Sequence, residues 1–251
     1  LSLPILITFR WYLVINNFSK IKFIDLLRNI ISGFSFSLIL SSALVIDAAK
    51  FIKIKKEIGS KNSFILVGID KILALFLKVI FIFLFLILYF ILFENLNNKI
   101  FFLFLIFFSF LFFFFIKIDN LIFYFCSKFL KRKETKNIKL IFAKIKKNIP
   151  KLILTNFIIL LINTSIYFLI FLSLGGNLLF FELLIFVPII ELLGQFSFII
   201  VGMKELSTVL LLSFFNINTE LALAAALIYL FLEYLVVITL YIIFNFNKKN
   251  Y

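Results

Sequence analysis

Residues 30 to 51 read IISGFSFSLILSSALVIDAAKF. The way this apolar run meets a bilayer decides the fold. It is preceded by Lys20, Lys22 and Arg28 and followed by Lys50, Lys53, Lys55 and Lys56. Lys and Arg collect on the cytoplasmic ends of membrane segments, so both ends of 30–46 carry the inward signature. A single crossing would put one basic block outside. A re-entrant hairpin that enters and leaves from the inside satisfies both ends, and Ser32, Gly33, Ser35, Ser37, Ser41 and Ser42 suit close helix packing at its bend.

The composition supports a membrane reading. Of 251 residues, 64% are hydrophobic and 15% charged, against about 45–50% and about 25% in soluble domains, and the mean hydropathy is +1.21. The 40 Phe residues reflect a bias of the kind AT-rich coding produces, so single Phe and Lys residues carry little functional information. The formal charge of +14 sits in blocks between apolar runs, which points to cytoplasmic loops rather than to nucleic acid. One cysteine, Cys126, offers no internal disulfide, and the lack of histidine removes the commonest metal ligand and general base. Metal sites, cofactors and serine or cysteine triads are not expected. The chain begins at Leu1 rather than Met, which reads as an incomplete N-terminus, and Arg10 interrupts the only candidate signal sequence.

A span needs about 20 apolar residues. Residues 72–93, 100–116, 152–174 and 221–244 qualify. Residues 178–215 are long for one span and short for two, with Pro188, Gly194 and Gly202 interrupting them. If the basic loop 128–151 is inside, the Gly175-Gly176 turn is outside. The last span ends at Lys248 and Lys249, inside, so 178–215 must dip in and return on the outer side. One hairpin from each face is the pattern of an inverted repeat, which places broken helices near the midplane around a substrate. The expectation is an all-α polytopic membrane helix bundle. It forms a single domain over residues 1–251, with a basic cytoplasmic linker or surface helix at about 127–151 that adheres to anionic lipid.

The charged residues near the apolar runs each carry two readings. Asp47 and Lys50, one face of a helix apart, are either a solvated helix end or a phosphate-handling pair. Asp70 and Lys71 open the span at Ile72, and Lys78 lies two turns further on the same face. The lysines can snorkel to headgroups, whereas a carboxylate drawn to the bilayer centre costs about 2.5–3.5 kcal/mol. Glu191 and Gln195 are one turn apart in the outer stretch, followed by Lys204-Glu205, and Lys204, Lys50 or Arg10 would serve as a partner for a buried acid. Glu233 is either a neutral acid bonded to Tyr229 or a backbone carbonyl, or part of a site. Asn156, Asn163 and Tyr167 share one face of 152–174, where interhelical hydrogen bonding is the plainer account.

Arg10-Trp11, Asp47-Ala48-Ala49-Lys50, Asp70-Lys71 and Gly202-Met203-Lys204-Glu205 follow one another in an order and spacing that resembles the flippase-like family named for the transmembrane region of lysylphosphatidylglycerol synthase. That family shows an early Arg-Trp-like segment, a Pro-Gly and Gly-Asp-x-x-Arg pattern, an acid-Arg pair opening a span and a late Gly-x-Gly-x-Arg-Glu pattern. In this chain lysines replace every expected arginine after Arg10, keeping charge without the bidentate fork. Ser41-Ser42 stand at the Pro-Gly position, Gln195 near a second proline, and Ile199-Ile200 at the late double glycine. The resemblance implies a multi-pass protein of the cell membrane, inner or plasma. It would move a phospholipid or polyprenyl-phosphate-linked lipid, with membrane lipids bearing anionic or phosphate headgroups as partners and no enzymatic activity. With the reading of Glu191 it assigns substrate binding to Arg10, Asp47, Lys50, Asp70, Lys71, Glu191, Lys204 and Glu205. A homo-oligomer is compatible with this organisation. The alternatives are a membrane-embedded transferase using Asp47, Asp70 or Glu205 as base, and a non-catalytic subunit of an envelope lipid or glycan system, against which Glu191, Glu205 and Glu233 speak.

Overall fold

A computed structural model describes residues 2–40, 43–93, 132–195, 202–213 and 217–246. Among them there are nine helices and no strand: α1 (Ser2–Ile15), α2 (Phe23–Leu40), α3 (Ala43–Ile58), α4 (Ser60–Phe93), α5 (Arg132–Lys146), α6 (Ile149–Ser173), α7 (Phe180–Gly194), α8 (Met203–Ser213) and α9 (Thr219–Phe246). Three are long and apolar enough to cross a membrane, at Ser60–Tyr89, Ile149–Ser173 and Thr219–Phe244. The span expected at 100–116, Cys126, Ser41-Ser42 and Ile199-Ile200 lie outside the described residues, as do Lys248 and Lys249.

Helices α2 and α3 form an antiparallel pair. The Lys20 backbone N–H donates to Glu57 Oε2 at 3.1 Å and Asn29 Nδ2 donates to the Ala49 carbonyl at 2.8 Å. Nearer the tip, a Cβ on Gly33 would stand 2.9 Å from Ala49 Cβ. The hydroxyls of Ser32, Ser35 and Ser37 donate to carbonyls of their own helix, so close packing here rests on Gly33 and Ala49. The hairpin is longer than the apolar run 30–46. Asp47 and Lys50 do not close it but sit within α3, because FIKIKKEI keeps a helical period and buries Ile54.

Gly59, at φ +79°, turns the chain directly into α4. Leu66, Ile69, Leu73 and Leu77 are buried at helical spacing, which carries α4 well upstream of Ile72. Asp70 and Lys71 therefore lie about three turns inside α4 rather than opening a span. The basic segment forms α5, which buries Ile138, Ile141, Phe142 and Ile145 while Lys144 and Lys146 face outward.

Two large apolar cores result among the described residues, and a smaller cluster of Leu27, Ile31 and Leu240 joins α2 to α9. One of the large cores joins α1, α2, α3, α5 and the start of α4 and α6 around Trp11, Ile54, Leu66 and Phe142. The other joins α4, α6, α7, α8 and α9 around Phe81, Tyr167, Leu183 and Ala225. Polar bonds tie the basic helix ends together, with Asn17 Nδ2 donating to the Lys144 carbonyl at 3.3 Å and Asn148 Nδ2 to the Leu13 carbonyl at 2.6 Å. At the opposite end Gly175, at φ +76°, turns the chain between α6 and α7. Helix α7 then runs antiparallel to α4, through Phe181 against Phe85 and Tyr89. The break between α7 and α8 brings Gly194 to Lys204, whose Cβ would lie 3.4 Å from a Cβ added there.

Candidate functional site

Between the α2–α3 pair and the α7–α8 pair lies a cavity of about 650 Å³. Its walls carry ionisable side chains from helices that are otherwise apolar, grouped on two levels.

The inner level is built on α4. Asp70, 2% exposed, takes Lys50 Nζ at 2.8 Å and Arg10 at 3.2 Å. Lys50, 3% exposed, also lies 3.5 Å from Asp47, which in turn takes Lys71 Nζ at 2.8 Å. Arg10 reaches further, to Asn156 Oδ1 of α6 at 3.3 Å. The Lys50 ammonium stands 5.4 Å from the centroid of the buried Trp11 ring, within reach of a cation–π attraction. Arg10 Nε is buried with no hydrogen-bond partner among the described residues.

The outer level lies two turns further along α4, about 12 Å from Asp70 to Lys78 at 1.5 Å per residue. Lys78 Nζ pairs with Glu191 of α7 at 2.8 Å. Asn163 of α6 donates to Glu191 and accepts from the Tyr229 hydroxyl at 3.1 Å. An amide suits this place because it offers donor and acceptor on one rigid group. Tyr229 stacks on Tyr167, centroids 4.4 Å apart, and carries the Lys204 ammonium 4.2 Å from its ring centroid. Lys204 also pairs with Glu233 at 2.9 Å. Glu205, in the first turn of α8, lines the cavity and makes no ion pair among the described residues.

All eight residues singled out in the sequence, Arg10, Asp47, Lys50, Asp70, Lys71, Glu191, Lys204 and Glu205, line this one cavity. Arg10, Asp47, Lys50, Asp70 and Lys71 form a single linked cluster. The partner of Glu191 is Lys78, not Lys204, Lys50 or Arg10. Lys78 thus turns into the bundle instead of snorkelling, and Asn156 and Asn163 bond to charged groups and not simply to neighbouring helices. Glu233 is ion-paired to Lys204. The signal for these additional residues was spacing: Lys71 and Lys78, and Asn156 and Asn163, are each seven apart, hence on one helix face.

No curated protein and no solved structure matches the chain. Residues 1–240, which contain every side chain of both levels, match the family described as the lysylphosphatidylglycerol synthase TM region, and the chain belongs to this family of membrane domains.

Proposed function

We propose that the protein moves a lipid with a phosphate-bearing headgroup across the cell membrane, the headgroup passing through the cavity while the acyl or prenyl tails stay in the bilayer. The carrying observation is the linked inner cluster in which Arg10, Lys50 and Lys71 face Asp47 and Asp70. Buried ion pairs give up several kcal/mol of hydration per ion, and apolar replacements of the same shape are often as stable or more so. Such a cluster is therefore a poor way to hold helices together and a good way to receive a charge. A phosphate entering it exchanges protein carboxylates for its own oxygens, and the buried Arg10 Nε has an N–H to give.

In this reading the two helix pairs, α2–α3 from the inside and α7–α8 from the outside, are related halves of an inverted repeat. They expose the cavity alternately to each leaflet. The chain is multi-pass, acts without covalent chemistry, and takes membrane lipids as its partners.

The test is translocation of an acyl-labelled phospholipid in proteoliposomes containing the full chain. Lys71 is partly exposed, its side chain 30% accessible, so Lys71→Gln removes a cavity charge at little cost to the fold. A rate several-fold below wild type, with an unchanged melting temperature, supports the reading. A wild-type rate no faster than protein-free vesicles overturns it.

A further inference from the structure

The two large cores are joined unequally. Helices α4 and α6 contribute to both. Elsewhere among the described residues, the apolar cluster that bridges them is the small one between the start of α2 and the end of α9. In it Leu27 and Ile31 meet Leu240, with Phe23, Val236 and Phe244 packed alongside. The ion pairs do not reinforce this seam. Those of the inner level lie on α1, α3 and α4, and those of the outer level on α4, α7, α8 and α9.

A seam of this composition is held weakly in a bilayer. Apolar side chains gain little by associating there, because acyl chains are as apolar as leucine. Leu27, Ile31 and Leu240 can part with acyl chains taking the place of the lost neighbours. The α2–α3 contact is of another kind, with Gly33 close against Ala49 and Asn29 Nδ2 bonded to the Ala49 carbonyl, so α2 and α3 separate from α9 as one unit. Further out, the same two helices stop touching and become a wall of the cavity. Phe34 and Ser37 lie about one and two turns beyond Ile31, and Val236 and Glu233 about one and two turns before Leu240, and all four line it. Arg28, exposed beside Leu27, puts a cation at the inner mouth of the seam.

Building on the translocation reading, we propose that the α2–α9 seam is the inner lateral gate of the cavity. It parts to let a headgroup slip between the cavity and the surface of the inner leaflet while the tails remain in the bilayer. It closes when Leu27 and Ile31 repack on Leu240. The structure holds it shut, with all three side chains buried.

The experiment locks the seam. In the full chain carrying Cys126→Ser, Leu27→Cys and Leu240→Cys are joined by a short thiol-reactive linker that a reductant removes. Movement of an acyl-labelled phospholipid in proteoliposomes should fall to the protein-free rate when the linker is in place and recover on reduction. Because both states come from one preparation, a destabilised variant remains informative. A control pair at exposed positions, Lys20→Cys with Glu57→Cys, ties α2 to α3 and should leave the rate unchanged. A linked seam as fast as the reduced one, a control slowed as much as the seam, or a linker that does not form overturns the gate. A second measurement needs no transport. Spin labels at the exposed Ile24 and Tyr241, one on each helix of the seam, should show two separations in proteoliposomes by double electron–electron resonance. One narrow separation overturns the gate and leaves the translocation reading standing. Two separations in a protein that moves no probe keep the gate and remove the translocation reading.

Discussion

Lys50 shows how far a single residue's role depends on what surrounds it. Its ammonium is shared by Asp70 and Asp47 at 2.8 and 3.5 Å and is almost inaccessible. Lys50→Met leaves Asp70 with Arg10 alone and Asp47 with Lys71 alone, so it should lower stability by about 3–5 kcal/mol, as expected when one partner of a buried pair is removed. Thermal unfolding in detergent checks this, and an unchanged midpoint would mean that the cluster is hydrated. Lys71→Gln, at the accessible edge, should cost less than about 1 kcal/mol. Asn163 makes a second residue-scale case. Asn163→Leu strips a donor from Glu191 and an acceptor from the Tyr229 hydroxyl, at about 1–3 kcal/mol for each group left unpaired. In the same melting assay, Asn163→Leu combined with Tyr229→Phe should lose less than the two single changes added together. Strict additivity would mean that the two side chains do not share a bond.

At the scale of elements, the α2–α3 hairpin depends on one close approach. A methyl at position 33 meets Ala49 Cβ at 2.9 Å, nearer than packed carbon atoms tolerate. Gly33→Ala should therefore destabilise the protein by about 1–3 kcal/mol as overpacking does, although alanine is the better helix former. Ala49→Gly in the same chain should recover part of that loss, measured as a double-mutant interaction energy. Were Gly33→Ala stabilising, the two helices would be further apart than this packing requires. The existence of a hairpin here was legible from the basic blocks on both sides of the apolar run. Its extent was not, because hydropathy falls off at Lys53, Lys55 and Lys56 while the helical period continues through Ile54 to Ile58. The same reason moved the start of α4 from Ile72 back to Ser60. Polar residues end an apolar window without ending a helix.

For the whole molecule, the structure gathers the start of α2, the end of α3, the end of α5 and the start of α6 at one end of the bundle. With Cys126 replaced, single cysteines at the exposed positions Lys56 and Lys147 should label from the cytoplasmic side, and cysteines at the exposed Asn177 and Asn218 from the outer side. Opposite sidedness within either pair would require the bundle to be re-threaded. The sequence by itself determined that the chain is helical and membrane-embedded, that basic blocks mark one face, and which charged residues stand in apolar surroundings. Each of these is local, carried by composition and by the period of one helix. Only the tertiary structure decided who pairs with whom. Lys78 meets Glu191 across 113 residues and Arg10 meets Asp70 across 60, and no spacing rule reaches between helices. A buried charge announces itself in a sequence because it is costly, but its partner is chosen by how the helices pack. That packing, set by Gly33 against Ala49 and by the break between α7 and α8, draws ten charged side chains around one cavity.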